Sequence, residues 1–151
     1  MISPSKTSTR YAIVVADFYR DIADALLAGA EAALAEAGVV REQITCVRVP
    51  GAFEIPHACA RLVRREYYSV IITLGAVVRG ETPHFDYVAG ECARGVMELN
   101  LLGKTPVIFG VLTTDTMEQA RARADTDKGD KGGAAARAAL AMAKLPNPAP
   151  Q

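Results

Sequence analysis

The stretch "VIITLGAVVRGETPHFDYV", residues 70–88, decides the fold. Its first seven residues are apolar and rich in β-branched side chains. They are apolar at odd and even positions alike, as in a strand covered on both faces. Polar residues then crowd together: Arg79, Glu81, Thr82, His84 and Asp86, with Gly80 and Pro83 among them. Proline disfavours helical angles in the residue before it and suits the first position of a helix. Thr82 is therefore a predicted N-cap, with His84 in the first turn of a helix over 84–102. Val88, Cys92, Val96 and Leu99 form its apolar stripe, and Gly103 follows as a stop.

The same alternation extends in both directions. Further strands are predicted at 11–16 ("YAIVVA"), 44–49 ("ITCVRV") and 106–112 ("PVIFGVL"). Helical spacing appears at 20–37, where Ala23, Leu26, Leu27, Ala30, Leu34 and Ala37 recur before Gly38. It appears again at 54–67, with Ile55, Cys59, Leu62 and Val63, and in a shorter segment at 115–124. The Ala-rich "GGAAARAALAMAKL" (132–145) is the last helix, and "PNPAPQ" cannot continue it. Strand alternating with helix specifies βαβ units with right-handed crossovers and a parallel sheet between helical layers. Four strands are too few for a closed barrel. The expectation is an α/β three-layer αβα sandwich with a four-stranded parallel sheet in the flavodoxin-like order 2-1-3-4. A single domain is expected at 11–145, flanked by a disordered tail at 1–10 and a C-terminal tail at 146–151. In such sheets ligands bind beyond the carboxyl ends of the strands, where the order reverses. That point lies between the first and third strands, bordered by "DFYRD" (17–21) and "VVRGETPH" (77–84).

Composition narrows the function. The chain has 151 residues, enough for one domain with a sizeable core. Lys and Arg together number 17, as do Asp and Glu. This balance gives no electrostatic claim on nucleic acid or on an anionic membrane. The apolar runs are strand-length, too short to span a bilayer. The N-terminal "MISPSKTSTR" lacks the apolar segment of a secretory signal. Cys46, Cys59 and Cys92 are odd in number without CxxC spacing, and read as reduced core thiols of a cytoplasmic protein. His57 and His84 lack metal-ligand spacing, so no metal is expected.

Several segments carry candidate chemistry. The helix start at 82–84 offers free N–H groups and a positive dipole end, which suit a phosphate. The same field disfavours a further positive charge and so favours a neutral His84, able to accept a proton and pass it on. Thr-Pro-His is equally a well-formed helix start with no other role. "VPGAFEIP" (49–56) turns sharply at Pro50-Gly51, and Ala52, Phe53 and Glu54 then open a helix at the ligand edge. It reads as a ring-binding turn or as an ordinary βα connection. Phe18 is a core aromatic or a stacking platform, and Phe109 reads as core by pattern. In "RARADTDKGDKGG" (121–133), Arg123 and Lys131 either lie in a solvated loop or reach an anionic ligand, in their own or a neighbouring subunit. "LLGKT" (101–105) lacks the first glycine of a P-loop and closes a helix. No GxGxxG follows the first strand, and no Ser or Cys sits on a nucleophile elbow.

Together, "VPGAFEIP", "LGAVVRGETPHFDYV", "PVIFGVLTTD", "EQARARA" and "DKGGAAARAAL" resemble lumazine synthases in order and spacing, from about Tyr11 to Leu145. The resemblance implies an enzyme of riboflavin biosynthesis, a transferase. It condenses 5-amino-6-(D-ribitylamino)uracil with 3,4-dihydroxy-2-butanone 4-phosphate to 6,7-dimethyl-8-ribityllumazine, releasing phosphate and water, without a cofactor. It further implies stacking of Phe18 on the pyrimidine. Ala52, Phe53 and Glu54 would hold the ribityl chain, and the backbone of Ala76, Val77 and Val78 the ring. Glu81, Thr82 and Arg123 would take the phosphate, and His84 would transfer protons. Phe109 would close the site from an adjacent subunit, with Lys131 near the ribityl hydroxyls and phosphate. Implied partners are further copies of the chain, as a pentamer or a 60-subunit shell, and riboflavin synthase. This chain departs from the family pattern at Asp17, where many members are basic, and at Tyr19, where many carry Asn. Two other readings use the same scaffold: a non-catalytic flavin- or lumazine-binding protein, and an unrelated αβα enzyme acting on a phosphorylated metabolite.

Overall fold

A computed structural model of the chain describes residues 8–146. Its four strands are β1 (Tyr11–Ala16), β2 (Ile44–Val49), β3 (Val70–Val78) and β4 (Val107–Thr114). All pairs are parallel, in the order β2-β1-β3-β4. The helices are α1 (Arg20–Glu36), α2 (Ile55–Arg64), α3 (His84–Leu101), α4 (Met117–Ala124) and α5 (Lys131–Ala143). The α/β sandwich and its strand order agree with the sequence expectation. Residues 1–7 and 147–151 of the expected tails lie outside the described residues. The hydrogen-bonded framework begins before Tyr11: Gln43 Nε2 donates to the Thr9 carbonyl (2.9 Å), and Ser69 N donates to the Arg10 carbonyl (2.8 Å).

Each face of the sheet packs its own core. Ile13 and Val15 of β1 and Ile72 and Leu74 of β3 meet Leu26, Ala30 and Leu34 of α1 and Ala136 and Ala139 of α5. The alternate residues, Ala12, Val14 and Ile71, meet Ile55, Cys59 and Val63 of α2 and Cys92 and Val96 of α3. The central strands β1 and β3 are buried on both faces, which is why their sequences show no polar alternation. The edge strand β2 does not follow that expectation, since Thr45 and Cys46 are exposed on it. Cys46 is thus a surface thiol, while Cys59 and Cys92 are the core thiols anticipated.

Element ends differ from the sequence reading by a few residues, for local reasons. β3 and β4 run on to Val78 and Thr114, because Val77 pairs with Thr113 and Val78 with Thr114. In β4 the apolar pattern stops at Leu112 although the backbone ladder continues, whereas in β3 Val77 and Val78 are themselves apolar. α2 ends at Arg64, and Glu66 beyond it has a left-handed backbone (φ 52°). α4 starts at Met117 rather than 115, set by a capping box. Gln119 N donates to Thr116 Oγ1 (3.1 Å), and Thr116 N donates back to Gln119 Oε1 (3.3 Å). At the opposite edge of the molecule, Asn100 ties the end of α3 to β4. Its Nδ2 donates to the Val107 carbonyl (2.9 Å), and its Oδ1 accepts from Val107 N (2.8 Å).

The contact between α1 and α5 depends on small residues. A Cβ at Gly132 would overlap the Leu26 carbonyl. Gly132→Ala should therefore destabilise the fold by about 1–3 kcal/mol in urea unfolding, the usual cost of overpacking a close contact. The core thiols give a second expectation. Burial pushes Cys59 up to about 12, with Cys92 nearby adding to the shift, and burial pushes Cys92 up to about 11. Both stay protonated at neutral pH, where the thiolate is the reactive form. A thiol reagent at pH 8 should leave Cys59 and Cys92 unmodified in the native protein and label both in denaturant.

Candidate active site at the strand-order switch

Between β1 and β3 the chain leaves the sheet in opposite directions, and a cavity of about 290 Å³ opens there. That volume is at the lower end of ligand pockets. Three connections build it. The β1–α1 turn supplies Phe18 and Tyr19. The β2–α2 turn supplies Gly51 and Ala52–Glu54, a single turn of 3-10 helix. The end of β3 supplies Ala76, Val77 and Val78, followed by Gly80, Thr82, His84, Phe85 and Val88. Buried Ala52, Ala76 and Val77 form the floor, while Phe18, Phe53 and His84 stand exposed at the mouth.

Phe18 is 73% exposed, which overturns its reading as core. Its ring meets that of Tyr19 edge to face, with centroids 5.0 Å apart. Phe18 is also among the residues that line the cavity. Phe109 is 41% exposed and is not core either, because β4 is an edge strand with no partner beyond it among the described residues.

The turn after β3 has the features of an anion cradle. The amides of Gly80, Glu81 and Thr82 donate to no protein acceptor among the described residues. Thr82 Oγ1 accepts the His84 amide at 3.4 Å. The helix begins at His84, one residue later than a Thr82 cap with Pro83 in the first turn implies, and Asp86 N closes onto the Pro83 carbonyl at 3.0 Å. The 18-residue helix α3 thus points its N-terminus, and His84, at the cavity mouth.

Asp17 lies just outside the cavity. Its amide donates to the Val49 carbonyl (2.9 Å), and Arg48 Nη1 lies 3.5 Å from its Oδ1, which accepts no hydrogen bond. Arg48 bonds more closely to Asp24, at 2.6 Å, and holds the Asp24 carboxyl below its ordinary range. The acid at position 17 is therefore turned toward Arg48. Tyr19, the second departure from the family pattern, lines the cavity itself.

Of the residues singled out from sequence, Phe18, Ala52, Phe53, Glu54, Ala76, Val77, Val78, Thr82 and His84 converge on the cavity. Glu81 is exposed in the turn between two lining residues. Phe109, Arg123 and Lys131 do not line it. Phe109 pairs with Thr73, three positions before Leu112, the partner of Ala76 at the cavity floor. Arg123 is exposed on α4 and donates to the Gln119 carbonyl (3.3 Å), and Lys131 is exposed at the start of α5. Tyr19, Gly51, Gly80, Phe85 and Val88 join the wall without having been singled out. Each lies within four residues of one that was, so proximity along the chain was the available signal.

Nearly the whole chain matches one family of known proteins. The family model for 6,7-dimethyl-8-ribityllumazine synthase matches residues 8–147. That span includes every element of the sheet and every turn that builds the cavity, and the chain belongs to the 6,7-dimethyl-8-ribityllumazine synthase family.

Proposed function

We propose that the protein catalyses the condensation of 5-amino-6-(D-ribitylamino)uracil with 3,4-dihydroxy-2-butanone 4-phosphate to 6,7-dimethyl-8-ribityllumazine. The observation that carries this reading is one cleft shared by an exposed aromatic face, an exposed imidazole and a turn with unpaired amides, in a chain matched almost end to end by this family. The pyrimidine stacks on Phe18, and the backbone of Ala76–Val78 meets its polar edge. Ala52, Phe53 and Glu54 hold the ribityl chain. The amides around Glu81 and Thr82 cradle the phosphate.

The primary amine of the pyrimidine attacks the ketone, and loss of water gives an imine. Phosphate is then eliminated, which leaves a carbonyl at the adjacent carbon. The ribitylamino nitrogen attacks that carbonyl and closes the ring with loss of a second water. Every step moves a proton, and an imidazole at the cleft mouth is the group able to accept and return it near neutral pH. Juxtaposing two reactive substrates supplies much of the remaining acceleration. No step calls for a metal or an organic cofactor.

The site is shared between chains in this reading. Phe109, Arg123 and Lys131 are exposed and do not line their own chain's cavity, which supports a role in a neighbour's. Phe109 closes that neighbour's cleft, and Arg123 and Lys131 add positive charge beside its phosphate. The assembly is a ring of five chains or a shell built from such rings. The protein works in the cytoplasm, upstream of riboflavin synthase. Among the described residues no helix is long and apolar enough to cross a membrane.

Mixing the two substrates with the protein should raise lumazine absorbance well above the uncatalysed rate. Tight lumazine binding without turnover would mark a carrier on the same scaffold. His84→Ala should slow turnover by roughly 10²-fold, the usual contribution of a positioned acid–base group, while a substrate analogue still binds. Arg123→Ala should raise KM for the butanone phosphate much more than for the pyrimidine, and sedimentation should give a particle of at least five chains.

A further inference from the structure

We propose that Arg79 is a positioning residue, which sets the turn at 80–83 and the ring of Phe85 against the cavity. Its importance for turnover rests on the reaction proposed above; its structural claim does not. The turn makes few bonds of its own. Among the described residues, the amides of Gly80, Glu81 and Thr82 donate no hydrogen bond to the protein, and Thr82 Oγ1 reaches only the next helix start. The placement of the turn is therefore fixed at its two ends.

Arg79 controls both ends. Its amide donates to the Thr114 carbonyl (2.9 Å), extending the β3–β4 ladder one step past the last paired residues. Its Nε bonds Asp115 Oδ1 at 3.1 Å, on the exit of β4. Its Nη1 lies 3.5 Å from Asp86 Oδ1, in the first turn of α3. Its Cζ sits 4.3 Å from the centroid of Phe85, a cavity-wall residue next to His84. One side chain thus links the end of β3, the exit of β4 and the start of α3. Asp115 is itself anchored, because its amide donates to Gln119 Oε1 (2.9 Å) in the capping box of α4.

Only a guanidinium suits this arrangement. Its planar fork serves two carboxylates in different directions while its flat face lies on an aromatic ring. A lysine ammonium is a point charge without the fork or the flat face. Arg79, Asp86 and Asp115 are all substantially exposed, and exposed ion pairs add little to global stability. Small displacements of a positioned group nevertheless cost much in rate. The two effects separate: loss of Arg79 should leave the fold stable and loosen the turn.

Hydrogen exchange and kinetics on Arg79→Met, Arg79→Lys and Asp115→Asn test this in the full-length protein. Arg79→Met should speed exchange in a peptide covering 79–87 by about tenfold or more, with the peptides of β1 and β3 unchanged. It should raise KM for the butanone phosphate about tenfold, while binding of a pyrimidine analogue that lacks phosphate stays within about twofold, as expected for misplaced anion contacts. Arg79→Lys should restore only part of this, and Asp115→Asn should shift both readouts in the same direction by less. Unchanged exchange at 79–87 in Arg79→Met would overturn the proposal, and so would faster exchange throughout the chain. Full rescue by Arg79→Lys would also contradict it, by showing that charge alone suffices. Absence of condensation by the unaltered protein would instead remove the functional reading, and the exchange result would still decide the role of Arg79.

Discussion

Parallel pairing of β3 with β1 on one side and β4 on the other is the constraint on which the rest of the molecule depends. Both faces of β3 are buried, so a shift of register by one residue would exchange its two cores. Thr73 reinforces the register from within: its hydroxyl donates to the Ile108 carbonyl (2.7 Å) and accepts from Gly110 N (3.3 Å). With the register fixed, Val78 emerges beside Thr114, and residues 79–84 must cross from the sheet to the start of α3. β1, leaving on its other side, carries Phe18 to the opposite wall. The cleft is the gap between two connections that a parallel sheet obliges to diverge.

Chemistry at the cleft follows from backbone geometry more than from an array of charged groups. The amides of the turn past β3 have no protein partner among the described residues, and Pro83 has none to offer. An α-helix then begins with its N-terminus facing the same space. A phosphate dianion would meet several donors there with little rearrangement. Glu54, Thr82 and His84 are the polar side chains on the wall, and the remainder is apolar or aromatic. That economy suits a reaction between two reactive substrates, in which holding and proton transfer matter more than a strong nucleophile or Lewis acid.

Much of this was legible in the sequence because few alternatives satisfied it. The two central strands announced themselves as apolar on both faces, and Pro83 and Gly103 bracketed α3. Ala52, Phe53, Glu54, Val77, Val78, Thr82 and His84 of the cavity wall lie in the motifs "VPGAFEIP" and "VVRGETPHFDYV". Phe18 and Phe109 were not legible from pattern, since an aromatic beside a strand looks the same whether buried or exposed. Cys46 misled for a related reason: it lies in a strand, yet that strand, β2, is an edge of the sheet within one chain. The last residues of β4, Thr113 and Thr114, were missed because backbone pairing continues past the apolar side chains. Arg79 was visible as a charge, but its partners, Asp115 past β4 and Phe85 and Asp86 on α3, lie on elements that only the fold brings together.

The central claim is that the strand-order switch binds a phosphorylated substrate beside His84. A crystal structure with a phosphate-bearing ribitylaminopyrimidine analogue addresses it most directly. The phosphate should lie within hydrogen-bond distance of the amides of Gly80–Thr82, the ring against Phe18, and the His84 imidazole beside the reacting nitrogen. An analogue seated elsewhere, for instance in the groove lined by Val47, His57 and Arg61, would contradict the account.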